Sequence, residues 1–193
     1  MSEKKKVFVG IEIPTEAKKQ LCGVSESLQK FGYPIGWVSQ EKLHITLIYL
    51  GYLTEERLDK VVTLLQETGP AFSPFTGKIG EIGAFPSIKH PRVIFVSLDE
   101  GSKQTHNIYD HLAFSLSKAG FKLEEQKFIP HVTLGRIKDN DFYLQKKIEE
   151  MLSRVKLPYF RSFKVSAISL FESIKIGKEF IYKVLLSVPL KLS

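Results

Sequence analysis

Leu43-His44-Ile45-Thr46-Leu47-Ile48-Tyr49-Leu50-Gly51 and Phe128-Ile129-Pro130-His131-Val132-Thr133-Leu134-Gly135-Arg136 are two versions of one pattern, placed about half a chain apart. Each holds His-x-Thr-Leu and reaches a glycine soon after. Side chains alternate across an extended strand, so His44 and Thr46 share one face while Ile45 and Leu47 share the other. The second copy repeats the arrangement, with His131 and Thr133 against Val132 and Leu134. The aliphatic faces can anchor two equivalent strands to a core. The polar faces then present two imidazoles and two hydroxyls to one groove.

The surrounding chain reads as alternating strands and helices. Val7 to Ile13 is a strand, and Pro14-Thr15-Glu16 opens a helix to about Phe31 with Leu21, Val24 and Leu28 inward. Trp37-Val38 is a short extended piece, and Leu43 to Leu50 carries the first motif. Thr54-Glu55-Glu56 starts a helix to Thr68 that turns Leu58, Val61, Val62 and Leu65 inward. Phe75 to Ile82 reads as a strand, Pro86 to Pro91 as a loop, and Arg92 to Leu98 as a β-branched strand. A helix from Gln104 to Lys118 shows Ile108, Leu112 and Leu116 at spacing four. The second motif strand runs from His131 to Arg136. Asp139-Asn140-Asp141 starts a helix to about Val155. Phe163 to Phe171 and Phe180 to Ser187 form a hairpin around Lys175 to Lys178. In each half a motif strand lies between two helices. The pattern predicts an α+β fold of two pseudo-symmetric lobes, each with an antiparallel sheet and outer helices, around a central groove. No low-complexity linker divides the lobes, so residues 1–193 read as one domain.

Composition narrows the partners. The chain of 193 residues is 43% hydrophobic and 25% charged, with a net charge of +7. A basic balance suits polyanions such as RNA, DNA or anionic lipid, and it also serves solubility alone. Lys4 to Lys6 is too short a run for a nucleic-acid arm. The single cysteine, Cys22, allows no intramolecular disulfide and reads as a small core residue of a reducing cytoplasm. Val7 to Ile13 is too short for a signal-peptide core, and no apolar run reaches the roughly 20 residues of a membrane helix.

Two histidines on facing strands suit phosphoryl transfer without a metal or other cofactor. A neutral imidazole can take a proton from the attacking oxygen, and an imidazolium can give one to the departing oxygen. Thr46 and Thr133 can hold non-bridging phosphate oxygens. Arg136 could clamp the anion. In a regular strand, though, Arg136 would share the face of Leu134, so Gly135 must mark a strand end or a bulge. Rival readings of the pair are ordinary strand residues, or zinc ligation, for which neither motif offers a third ligand. No Gly-x-Ser-x-Gly, P-loop or dinucleotide glycine pattern is present. His90, His106 and His111 read as loop or helix-surface residues, and Arg92 as a loop arginine within reach of phosphate. Phe8, Trp37, Tyr49 and Phe85 read as core aromatics. Of these, Phe8, Tyr49 and Phe85 are candidates to line the groove and stack on a base.

At these residues the chain resembles the 2H phosphoesterase superfamily, and more narrowly its bacterial and archaeal RNA 2′,3′-cyclic phosphodiesterases, also called 2′-5′ RNA ligases. The resemblance extends to Val7-Phe8-Val9-Gly10-Ile11 with Pro14, to Trp37-Val38, and to Phe85-Pro86 with Pro91-Arg92-Val93. Tyr49 stands where Phe is more usual. The resemblance implies a metal-free hydrolysis of a terminal 2′,3′-cyclic phosphate on RNA to a 2′-phosphate; a small cyclic nucleotide is a further candidate substrate, and a monomer is expected. The resemblance also implies His44 as general acid, His131 as general base, Thr46 and Thr133 on the phosphate, and Arg136 assisting. Two other readings stay open. One is a 2′-5′ RNA ligase, or a phosphodiesterase on 2′-5′ oligomers or cyclic ADP-ribose phosphates. The other is a non-catalytic module that holds RNA ends.

Overall fold

A computed structural model describes residues 4–124, 127–138, 141–177 and 179–191. Strand β1 (Lys5–Glu12) is central. It pairs antiparallel with β3 (His44–Leu53) on one side and β9 (Ala167–Ile176) on the other. Its Val7, Val9 and Ile11 are buried on one face and Phe8 on the other, so it is covered on both sides. The sheet continues through β7 (His131–Ile137), β6 (His90–Leu98) and β5 (Ile79–Ser87), in the order β10-β9-β1-β3-β7-β6-β5, where β10 is Glu179–Pro189. Short β2 (Ile35–Trp37) pairs with β7. Strands β4 (Phe75–Gly77) and β8 (Phe163–Val165) form a separate small sheet.

The antiparallel sheets of the two halves therefore meet at the two motif strands. They meet at one residue pair, Ile45 opposite Val132, and both side chains are fully buried.

Four helices lie among the described residues. Helix α1 (Thr15–Gln29) buries Ala17, Leu21, Val24 and Leu28. Helix α2 (Glu55–Thr68) carries Glu55 and Glu56 in its first turn, where they complement the helix dipole, and buries Val61 and Leu65. Helix α3 (Ser102–Lys118) buries Ile108, Leu112 and Leu116. Helix α4 (Phe142–Arg154) is capped by the Asp141 carboxylate, which accepts from the Leu144 amide at 2.8 Å. The connections cross: α1 touches β7, and α3 touches β3. Each motif strand is thus backed by a helix from the other half. The apolar faces join in one buried cluster running from Val7 to Leu190.

Three predicted segments differ. The stretch Phe75 to Ile82 is two strands, because Lys78 turns away to bond its backbone to Asp99 and Glu100. Pro86 to Pro91 is not a loop: β5 and β6 continue as a hairpin to Ser87 and His90, with Pro86 opposite Pro91. Neither proline has an N–H to leave unpaired, so the ladder tolerates both there. Phe163 to Phe171 breaks at Ser166 into β8 and the start of β9, because the Ser166 carbonyl accepts from Leu190. Asp139 and Asn140, predicted to open the last helix, and Lys178 of the predicted turn lie outside the described residues.

Candidate active site

The Ile45–Val132 pair organises the site. Extending its antiparallel register by one residue sets His44 opposite Thr133, and Thr46 opposite His131. The four side chains share the face away from the buried Ile45 and Val132. They form a two-by-two cluster in which each histidine neighbours the other motif's threonine. Diagonal neighbours in such a ladder are about 7–8 Å apart at the backbone. That leaves room for a tetrahedral anion between the two rings.

Matching bulges extend the face. On β3 the register with β1 skips Leu47, between Gly10 opposite Thr46 and Val9 opposite Ile48. On β7 the register with β6 skips Leu134, between Phe95 opposite Thr133 and Ile94 opposite Gly135. An extra residue in one strand reverses the parity of everything after it. Tyr49 is thereby turned onto the face of Thr46, and Arg136 onto the face of Thr133. Both are exposed and line one cavity with Thr46, Thr133 and His131. The bulge thus gives Arg136 the parity that a regular strand would deny it. Glycine is required at two of these positions. A Cβ on Gly135 would stand 2.7 Å from Cγ2 of Ile35, and one on Gly10 2.7 Å from the Ile45 carbonyl oxygen.

Both imidazoles are held alike. His44 Nδ1 donates to the Lys42 carbonyl at 2.6 Å, and His131 Nδ1 donates to the Ile129 carbonyl at 2.6 Å. A carbonyl can only accept, so the proton sits on Nδ1 and each neutral ring offers its Nε2 lone pair. The Thr46 hydroxyl donates to Nε2 of His44 at 2.9 Å.

The walls are aromatic. Around His44 stand Phe8 at 4.8 Å, Phe171 at 5.7 Å and Tyr182 at 5.2 Å between ring centroids. Around His131 stand Phe85 at 4.9 Å and Phe95 at 5.2 Å. This burial is the main reason both histidines are held below the ordinary value of 6.5, His44 down to about 4 and His131 in the same direction. The Arg136 guanidinium pushes both further down, and Lys18 and His131 add to the effect on His44. Both rings are therefore neutral at pH 7. Burial of neutral His44 also means that stability is lost as pH falls from about 6.5 to about 4, because the unfolded chain takes up the proton first.

A bound anion reverses the first effect. A single negative charge 4 Å from the ring, at an effective dielectric near 20, favours the imidazolium by about 4 kcal/mol, or about three pKa units. Saturating sulfate, which does not titrate in this range, is therefore expected to raise the His44 pKa from about 4 to above about 6, read from its ring proton shifts by NMR. An unmoved titration would place the anion elsewhere.

The aromatic expectations divide. Tyr49 and Phe85 line the cavity, which has a volume of about 1220 Å³. Phe8 does not offer a face to a base: it is 2% exposed, stacked on Phe171 at 4.8 Å beneath His44. It supports the ring. Trp37 packs against the core. Arg92 and His90 stand on the cavity edge at the start of β6, and His90 Nδ1 lies 3.5 Å from Oε1 of the buried Gln145. His106 is not a free surface residue. Its ring lies 3.0 Å from both the Ser102 and Phe128 carbonyls, tying α3 to the segment before β7. His111 packs edge-on against Phe72. Cys22 is half-buried beside the core, and burial raises its thiol pKa. Among the described residues no group of three His, Cys, Asp or Glu is placed to hold a metal ion. No described helix is long and apolar enough to cross a membrane.

Sequence reasoning missed Phe171 and Tyr182. The one signal for Tyr182 was the alternation Phe180, Tyr182, Val184 along β10. Nothing in the sequence brings that strand to His44. Strand β9 pairs with β1 only through Ser169–Glu172, and beyond it β9 and β10 run on as a two-stranded ribbon. The ribbon curls over the groove face, setting Tyr182 on His44 and Glu179 3.5 Å from the Lys42 ammonium.

The chain is similar to a family of known proteins in sequence and in fold. The model of the 2′-5′ RNA ligase superfamily matches residues 16–175, a span that includes both motifs. The RNA 2′,3′-cyclic phosphodiesterase of Thermotoga maritima is 32% identical over 153 residues, 79% of this chain and 79% of its own. The protein of that name from Methanocaldococcus jannaschii is 29% identical over 180 residues, 93% of this chain and 98% of its own. The crystal structure of Escherichia coli LigT complexed with 3′-AMP shares the fold, with a TM-score of 0.76 at 19% identity over 98% of this chain and 100% of its own.

Proposed function

Because the chain belongs to the 2′-5′ RNA ligase superfamily, we propose that it is an RNA 2′,3′-cyclic phosphodiesterase whose two motif histidines work as a general acid–base pair. The observation that carries this reading is the paired cluster itself. Both rings are fixed by matching Nδ1–H bonds to Lys42 and Ile129, which leaves Nε2 of His44 on the Thr46 hydroxyl, and Thr46, Thr133, His131 and Arg136 line one cavity.

The cyclic phosphate enters between the rings as a monoanion, and its charge offsets the burial that keeps His44 neutral. The Thr46 hydroxyl, freed from Nε2 as His44 takes up a proton, turns to a phosphate oxygen, and Thr133 holds another. His131 Nε2 removes a proton from water. The water oxygen attacks phosphorus, and the bond from phosphorus to the ribose 3′-oxygen breaks. His44 Nε2–H protonates that oxygen, leaving a 2′-phosphate and a 3′-hydroxyl. The proton lost by His44 is replaced by the one His131 gained, through solvent, before the next turnover. Arg136 gathers the charge that develops on the equatorial oxygens. No step calls on a metal ion.

The same reading places the work in the cytoplasm, where Cys22 stays a thiol, and in a monomer. It treats residues 1–193 as a single bilobal domain. The test is incubation with a short RNA ending in 2′,3′-cyclic phosphate in excess EDTA, followed by phosphorus NMR. A 2′-phosphate signal that grows at an unchanged rate in EDTA is expected. A 3′-phosphate product would reverse the leaving group, and loss of turnover in EDTA would overturn the metal-free route. Joining to an added 5′-hydroxyl RNA in preference to hydrolysis would make it a ligase.

A further inference from the structure

Strand β3 carries a second bulge. Its register with β1 skips Leu50, between Val7 opposite Gly51 and Phe8 opposite Tyr49. With two bulges three residues apart, Thr46, Tyr49 and Tyr52 all fall on the groove face. Strand β7 has no counterpart, for it ends at Ile137. Here the pseudo-symmetry of the two halves breaks.

A strip of exposed rings therefore leads away from the reacting centre on the His44 side. Tyr49 is 47% exposed and Tyr52 67% exposed. The curled ribbon supplies Phe180 to the same place. The Lys6 ammonium stands among all three, 5.7 Å from the Tyr49 ring centroid, 5.8 Å from that of Tyr52 and 5.3 Å from that of Phe180. No described helix covers these rings. Apolar ring faces flanking an ammonium are costly to leave in water and suit a ligand that alternates flat bases with phosphates.

We infer that the nucleotides preceding the reacting end of a single-stranded RNA run out along β3, with bases on Tyr52 and Phe180 and a backbone phosphate on Lys6. Resting on the assignment of the cluster to a cyclic RNA end, the track gives that end a polymer body and makes the enzyme favour oligomers over mononucleotides. Three observations converge on it. The strip is continuous with the cavity through Tyr49, which lines both. Its charge complements a polyanion. Its rings stand on two sides, from β3 and from the ribbon, so a base can be held between them. An exposed cation–ring contact is weaker than the stacking of a base on the same ring. A base thus displaces Lys6, and the freed ammonium meets the neighbouring phosphate.

The experiment measures binding and turnover in parallel. Binding of a fluorescein-labelled oligoribonucleotide ending in 2′,3′-cyclic phosphate is followed by anisotropy in the His131→Ala background, where the end is preserved, with unlabelled adenosine 2′,3′-cyclic phosphate as competitor. Tyr52→Ala and Phe180→Ala, introduced separately, are each expected to weaken the oligomer about tenfold relative to the mononucleotide. Lys6→Gln is expected to lower the slope of log affinity against log salt by about 0.7. Circular dichroism and melting temperature of each variant control for folding. Oligomer affinity within about twofold of the parent in both aromatic variants would overturn the track and leave the rings to a protein partner. Equal losses on oligomer and mononucleotide would also overturn it, by making the rings part of the reacting centre. A protein that binds the oligomer through Tyr52 and Phe180, yet opens neither cyclic end with His131 intact, upholds the track and overturns the catalytic assignment.

Discussion

His44→Ala and His131→Ala are each expected to lower kcat on RNA ending in 2′,3′-cyclic phosphate by about 10²–10⁴-fold, with the fold retained. The loss is specific because each ring does one proton transfer that water does poorly from the same place. The two rings act as a unit, so the double variant is expected to be little worse than the more damaged single one. The assignment of acid and base has its own readout. A phosphodiester with a nitrophenolate leaving group needs no proton on departure. It is expected to recover much of its rate in His44→Ala and little in His131→Ala. Near wild-type turnover in either alanine variant would overturn the two-histidine mechanism. Recovery in His131→Ala instead would exchange the roles.

Arg136→Ala is expected to lower kcat/KM about 10²-fold, the scale of losing one preorganised donor to a developing anion. Arg136→Lys is expected to fall between, because an ammonium keeps the charge but not the forked geometry. The pH profile provides a second readout. Arg136 is among the charges that hold both imidazoles below their ordinary value. Removing it raises both pKa values, so the His131 limb, on which activity depends on a neutral base, moves to higher pH. A variant with reduced kcat/KM and an unmoved profile would place the guanidinium outside the electrostatics of the pair.

Local periodicity alone makes much of the molecule legible. The two motif strands, the alternation that separates His and Thr from Ile, Val and Leu, and the helices built on Leu21, Val61 and Ile108 all follow from it. These residues fall where predicted because period 2 and period 3.6 are properties of the backbone. The errors cluster where pairing or a distant acceptor decides. Phe75 to Ile82 breaks because Lys78 bonds across to Asp99 and Glu100. Pro86 and Pro91 stay in strands because they face each other. Phe8 is a candidate to stack on a base from its place in the sequence, and it lies instead beneath His44 on Phe171, a residue far away along the chain.

The sequence by itself determined that histidine and threonine come in two matched sets, and which face of each strand they take. Those facts depend only on neighbours along the chain. Tertiary structure decided how the sets meet, through the single Ile45–Val132 pair. It also decided that Tyr49 and Arg136 turn inward, since a bulge exists only between a strand and its partner. The depressed pKa of both histidines belongs to the fold as well, because burial by Phe8, Phe171, Tyr182, Phe85 and Phe95 is assembled from separate strands that no local pattern connects.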